Sequence, residues 1–125
     1  MMLLSKEQVI AIHDQIIAAT GGITGLRDEG LLDAALSVPW QTFGGHDLFP
    51  SLEEKAARLG YGLANNHPFI DGNKRIAAVV TLEILVLNGI KLSYSQKELS
   101  DIFLRVAGER LGSDVLLEWI QQHKR

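Results

Sequence analysis

Ile76-Ala77-Ala78-Val79-Val80-Thr81-Leu82-Glu83-Ile84-Leu85-Val86-Leu87 is apolar at every position except Thr81 and Glu83. A stretch that is apolar on nearly all sides of a 3.6-residue turn reads as the central helix of a small helical protein, wrapped by its neighbours. It is expected to begin near Asn73 and to reach Asn88, with Gly89 just past its end.

Working outward, the flanking segments also read as helices. Ser5 with Gln8 three residues on forms a capping-box pattern, and Val9, Ile12, Ile16 and Ile17 give an apolar stripe to about Ala19. Gly21, Gly22 and Gly25 mark a loop before a second helix over Glu29 to Val38, with Leu31, Leu32, Ala35 and Leu36 inward and Pro39 forbidding continuation. Trp40 to Pro50 reads as irregular surface chain. Ser51 caps a third helix, with Glu53 and Glu54 in its first turn and Ala56, Leu59, Gly60 and Leu63 on its packing face, ending near Asn65-Asn66. Lys91-Leu92-Ser93 suits a short extended piece before a fifth helix from Ser95, with Glu98 completing a capping box, to about Gly108. The last runs from Ser113 to about His123, placing Val115, Leu116, Trp119 and Ile120 at helical spacing. Six helices with little or no strand predict an all-α, single-domain bundle over residues 1–125, with the apolar stripes, both Trp and both Met in the core.

Composition narrows the function. The 125 residues are 46% hydrophobic and 22% charged, enough for one domain and no second. The absence of cysteine excludes disulfides, thiolate zinc sites and thiol redox chemistry, and fits a reducing cytoplasm. Met1-Met2-Leu3-Leu4 is too short for the core of a signal peptide, and no stretch nears the about 20 apolar residues of a membrane span, so a cytoplasmic protein without membrane contact is expected. A net charge of −3 and a pI near 5.7 argue against direct nucleic-acid binding. Residues 1–62 hold four Lys/Arg against eight Asp/Glu, and residues 63–125 eight against seven. Apart from Lys124-Arg125, read as a frayed end, the sole adjacent basic pair is Lys74-Arg75.

That pair lies in His67-Pro68-Phe69-Ile70-Asp71-Gly72-Asn73-Lys74-Arg75, between the third and fourth helices. Helix starts favour acidic side chains because unpaired N–H groups carry partial positive charge, so each cation there costs up to about 1 kcal/mol. The same amides, with a lysine and an arginine, suit a chain of phosphates. A local rule broken without structural gain marks a functional site. Gly72 permits positive φ and close approach of a ligand. Asn73 either caps the helix or bonds a phosphate oxygen. Asp71 is a hard oxygen ligand suited to Mg²⁺. Phe69 and Ile70 are expected to anchor the loop on the core. His67, before a proline, ends the third helix, and its imidazole can take a proton from an attacking hydroxyl. Taken singly, His67 also suits a helix C-cap or a core histidine, Lys74-Arg75 a solvated face and Asp71-Gly72 an ordinary turn. His13, His46 and His123 read as surface or capping groups; Arg27 could reach a phosphate from the Gly-rich loop, but reads first as an ion-pair partner of Asp28 or Glu29.

The nonapeptide resembles the core motif of the Fic/Doc family, histidine-x-phenylalanine-x-acid-glycine/alanine-asparagine-x-arginine, with six defining positions matched. His13-Asp14, Gly21-Gly22 and Gly25-Leu26-Arg27-Asp28-Glu29-Gly30-Leu31-Leu32 with Ala34-Ala35 are similar to the N-terminal part of its death-on-curing (Doc) toxin branch. The resemblance implies a helical bundle that transfers part of a nucleotide to a protein hydroxyl. It makes His67 the general base, Asp71 the Mg²⁺ ligand, and the Gly72, Asn73 and Lys74 backbone the anion nest. Asn73, Lys74 and Arg75 would supply side-chain contacts to phosphates, and Phe69 would be the loop anchor. The AMP-transferring branch usually has glycine where Lys74 stands and a second arginine where Ala78 stands. Lys74 is similar to the Doc branch, which implies transfer of the γ-phosphoryl group of ATP to a Ser/Thr hydroxyl of a cytoplasmic protein such as a translation factor.

The inhibitory Ser/Thr-x-x-x-Glu-Gly/Asn pattern of some relatives is absent, because Gly25 precedes Glu29-Gly30 at the decisive position. The resemblance therefore implies control by an antitoxin whose disordered segment folds on binding, in an apolar groove near the first or second helix. AMP or other nucleotidyl transfer by the same loop is the alternative chemistry. A non-catalytic module that binds nucleotide or a partner is the alternative of another class.

Overall fold

The computed structural model of the chain describes residues 3–108 and 111–125; the core expectation for Met1 and Met2 lies outside them. It is all-α with one small hairpin: α1 (Lys6–Thr20), α2 (Glu29–Ser37), a 3₁₀ turn (Val38–Trp40), β1 (Thr42–Phe43), β2 (His46–Asp47), α3 (Leu52–Asn66), α4 (Asn73–Leu87), α5 (Gln96–Gly108) and α6 (Ser113–His123). The caps expected at Ser5, Ser51 and Ser95 all form. In each, the serine hydroxyl accepts the N–H three residues on, at 3.1 Å, while Gln8, Glu54 or Glu98 returns a bond to the serine N–H. Each such cap contributes about 1 kcal/mol and sets where its helix starts.

The expectation of one central helix needs correction. α4 buries Ile76, Ala77, Val80, Thr81, Ile84 and Leu85, yet Val79, Glu83 and Val86 form an exposed stripe along it. α3 is the hub, packing on α2, α4, α5 and α6. Its buried face is built largely from Ala56, Ala57, Gly60, Gly62 and Ala64. A β-carbon on Gly60 would fall 2.2 Å from the Thr81 hydroxyl oxygen of α4 and 3.0 Å from Leu116 of α6. Small residues thus let neighbouring helices approach closely, and they carry little hydrophobic signal in the sequence.

Residues 40–50 are not wholly irregular. Thr42 pairs with Asp47 and Phe43 with His46, around Gly44 and Gly45 at φ 58° and 81°. Two consecutive positive φ values match the two-residue turn that follows strand twist. Lys55, 4% exposed, ties this segment to α3 through Asp47 at 3.1 Å and the Phe49 carbonyl, with its ammonium 5.5 Å from the half-buried Trp40 ring.

The C-terminus is also paired rather than frayed. Ser93 N–H donates to the His123 carbonyl at 2.8 Å, Arg125 N–H to the Lys91 carbonyl at 2.9 Å, and Lys124 lies 3.5 Å from Glu53. Here the expected extended piece forms a bridge from Leu92 to Lys124. His123 stacks on Trp119 at 4.2 Å and bonds Glu98 at 2.8 Å, joining α6 to the first turn of α5.

This pair makes stability depend on pH. His123 and then Ser95 hold the Glu98 carboxyl down to about 2, and Glu98 raises the His123 imidazole above 6.5. The Glu98 contribution is full above its ordinary 4.5 and lost as pH falls towards 2; that of His123 is full below its ordinary 6.5 and lost as pH rises through the raised value. The urea midpoint of the wild type should therefore exceed that of His123→Ala most between the ordinary 4.5 of Glu98 and the ordinary 6.5 of His123, with the gap narrowing as pH rises further. A gap independent of pH would contradict the coupling.

Candidate active site

Pro68 cannot continue α3, and the residue before it turns sharply. His67 is the C-cap of α3, at φ 50° and ψ 55°, the sole non-glycine residue with positive φ among those described. A left-handed residue with a side chain costs about 1–2 kcal/mol. Arg27 helps hold it: its Nε donates to the His67 carbonyl at 2.6 Å and its Nη2 to that of Asn66 at 2.9 Å. Arg27 thus caps α3 instead of pairing with Asp28 or Glu29; Asp28 instead caps α2 through the Leu31 N–H at 3.0 Å. Beyond His67, residues 25–28 lie along the loop, with Arg27 and Asp28 N–H groups donating to the Pro68 carbonyl at 2.8 and 3.1 Å and Ile70 N–H to that of Gly25 at 3.0 Å. This C-cap geometry leaves the imidazole exposed, with no hydrogen bond among the described residues. It borders a cleft of about 300 Å³ that Ile70, Asp71, Gly72, Asn73, Lys74 and Arg75 complete.

Phe69 is 1% exposed and anchors the loop as expected, whereas Ile70, 51% exposed, does not. One side chain of the loop can enter the core while the next turns outward. The Asn73 side chain does not cap α4. Its Oδ1 accepts the Phe69 N–H and its Nδ2 donates to the Phe69 carbonyl, both at 3.0 Å, within the buried interior. That side chain thus clamps the loop, and its backbone lies in the first turn of α4.

The N-cap is Gly72, at φ 74° and ψ 21°, with no side-chain cap. The N–H groups of Asn73, Lys74 and Arg75 consequently have no partner among the described residues. Lys74 is exposed and also unpartnered among them. Arg75 is fixed by the Gly21 carbonyl at 2.9 Å and the Thr20 hydroxyl, with its Nη2 3.7 Å from Asp71. The Asp71 carboxylate accepts N–H bonds from Gly72 at 2.8 Å and Ile23 at 3.2 Å. These two bonds, before the Arg75 charge, hold its carboxyl below the usual carboxylate range. Asp71 is therefore ionised at neutral pH.

Among the described residues, no group of three or more His, Cys, Asp or Glu could hold a metal. One ionised carboxylate facing a positively polarised helix start fits Mg²⁺ that arrives with phosphates and keeps its waters. Each Asp71 oxygen takes one N–H bond and retains lone-pair capacity for a cation.

His13, expected at the surface, is fully buried: it stacks on Phe69 at 3.8 Å and 9°, with Nε2 2.7 Å from the Asp71 carbonyl oxygen. Its position four residues after Val9 and four before Ile17, both buried, was the signal that could have placed it on the inner stripe. His46 is exposed in β2, as expected. His123 is half-buried in its latch with Glu98 and lies outside the cleft lining. A free imidazole, an ionised carboxylate and three open N–H groups beside a lysine suit the transfer of a phosphate-bearing group to a hydroxyl.

A family model described as the Fic/DOC family matches residues 3–85. The protein named Toxin Doc from Mycolicibacterium smegmatis is 47% identical over 90 residues, which span 72% of this chain and 67% of that protein. The protein named Protein kinase doc from Escherichia phage P1 is 32% identical over 104 residues, spanning 83% of this chain and 81% of that one.

The cleft geometry makes Gly22 sensitive. At φ 124°, its added β-carbon would fall 2.6 Å from Asp71 Oδ2, whereas one on Gly21, at φ 89°, would meet nothing within 4 Å. Gly22→Ala should displace the Asp71 carboxylate and shift the backbone amide signal of Gly72, whose N–H donates to it, more than Gly21→Ala does, read by ¹⁵N NMR. Equal shifts would contradict this close approach.

Proposed function

The chain belongs to the Fic/DOC family, and from that premise we propose that it is a Doc-type toxin that transfers the γ-phosphoryl group of ATP to a Ser/Thr hydroxyl of a target protein. The observation that carries this reading is the exposed, unbonded His67 imidazole beside the free N–H groups of Asn73, Lys74 and Arg75. In the proposed reaction His67 takes the proton of the target hydroxyl as its oxygen bonds to the γ-phosphorus. The bond from that phosphorus to the β–γ bridging oxygen breaks, and ADP leaves. The α4 N–H groups and Lys74 stabilise negative charge on the phosphates; Arg75 braces the Asp71 carboxylate and adds positive charge. Mg²⁺, held by Asp71 together with the phosphates, would neutralise charge on the transferring group. In this reading catalysis is positioning and electrostatics, which one small loop can supply.

Two features favour phosphoryl over AMP transfer. Lys74 and Ala78 stand where the resemblance places glycine and a second arginine in AMP-transferring relatives, and Ala78 can make no bidentate phosphate contact. One relative is itself named a protein kinase. The target class we infer is a cytoplasmic translation factor; no helix among the described residues is long and apolar enough to cross a membrane. For the antitoxin, we propose the groove of about 430 Å³ between α1 and α4, walled by Ile12, Ile16, Ala19, Ala78 and Val79. Arg75 also lines it, so a folded segment seated there would touch the site.

Incubation of target with γ-labelled and, separately, α-labelled ATP distinguishes the chemistries. The proposal expects label from γ-labelled ATP alone, with His67→Ala lowering the rate about 10²–10⁴-fold while nucleotide still binds. Label from α-labelled ATP would replace it with AMP transfer, and full activity in His67→Ala would remove the general base.

A further inference from the structure

Resting on the reading of this loop as a nucleotide phosphate site, we propose that His13 is a positioning residue. Its Nε2–H holds the Asp71 main-chain carbonyl, and so fixes the turn from which the Asp71 carboxylate and the α4 N–H groups meet the phosphates.

The hydrogen bond is 2.7 Å long, and a carbonyl oxygen can only accept, so the ring proton sits on Nε2. Nδ1 is then buried with no hydrogen-bond partner among the described residues. Burying an unpaired polar atom is unfavourable. A phenylalanine at position 13 would occupy the same inner stripe, stack on Phe69 and bury no such atom. What histidine supplies beyond phenylalanine is the Nε2–H.

That donor acts at the decisive peptide. Asp71 is gripped on both sides by the N-terminal segment: its carbonyl by His13 of α1, and its Oδ2 by the Ile23 N–H just beyond α1. Arg75 is tied to the end of the same helix through the Gly21 carbonyl. Gly72, the N-cap, follows at once, and a β-carbon placed on it would lie 3.5 Å from His13 Nε2. The imidazole therefore packs against the turn that leaves α4 uncapped. His13 touches neither substrate nor reacting atoms; it acts through Asp71 and Gly72.

Two variants separate the donor from the ring. His13→Phe keeps the stacked ring and removes the donor, while His13→Gln keeps an N–H donor and removes the ring. We expect His13→Phe to bind ATP with Mg²⁺ about tenfold more weakly by calorimetry and to transfer correspondingly more slowly, with His13→Gln recovering most of the affinity without melting higher. A purely packing role predicts the opposite order, so wild-type affinity in His13→Phe, or lower affinity in His13→Gln than in His13→Phe, would overturn the proposal. If neither variant folds, ¹⁵N NMR of the wild-type His13 ring decides: a proton on Nε2 supports the clamp and one on Nδ1 alone overturns it. A wild-type protein that binds no ATP would overturn the phosphate reading itself, while the ring measurement still tests the hydrogen bond.

Discussion

Two hydrogen bonds between the Asn73 side chain and the main chain of Phe69 give the site its shape. They close the loop on itself, seat the Phe69 ring in the core and leave the preceding Gly72 as an N-cap without a side chain. Had Asn73 capped α4, its oxygen would have covered the N–H groups that the site leaves open. The uncapped start forgoes about 1 kcal/mol, and the cations beside it add to the cost. The surrounding bundle offsets this: capping boxes at three other helices, a close-packed α3, and Arg27 satisfying the last carbonyls of that helix. The site is thus an exception to helix design carried by helices that obey it.

Charge follows the same logic. A chain of net charge −3 draws no polyanion over its whole surface, but the start of α4 concentrates a lysine, an arginine and free N–H groups within one turn. Asp71 stands among these positive groups, fully ionised, and Arg75 is braced against it and against the end of α1. Local fields of this kind act over a few ångströms, the scale of a phosphate chain.

The helices were legible in the sequence because their signals are local. Serine caps, glycine stops and apolar spacing placed all six to within a residue or two. The site loop was legible for a related reason, since its departure from helix-start rules sits in nine adjacent residues. What escaped depends on partners distant in sequence. Arg27 reads as a surface charge until the chain brings it 40 residues across to His67. Gly60 and the alanines of α3 look featureless until four helices converge on them. By polarity alone His13 reads as a surface group, although its place between Val9 and Ile17 marks it as inward. Ile70 is the converse case, exposed although apolar, because apolar character alone does not say which side of a turn faces the core.

The central claim is that the open N–H groups at the start of α4 receive the phosphates of a nucleotide. Backbone amide NMR during titration with ATP and Mg²⁺ tests it directly. The account predicts that the amides of Asn73, Lys74 and Arg75 shift most and saturate together. Unmoved amides at these three residues, with nucleotide bound elsewhere or not at all, would contradict it.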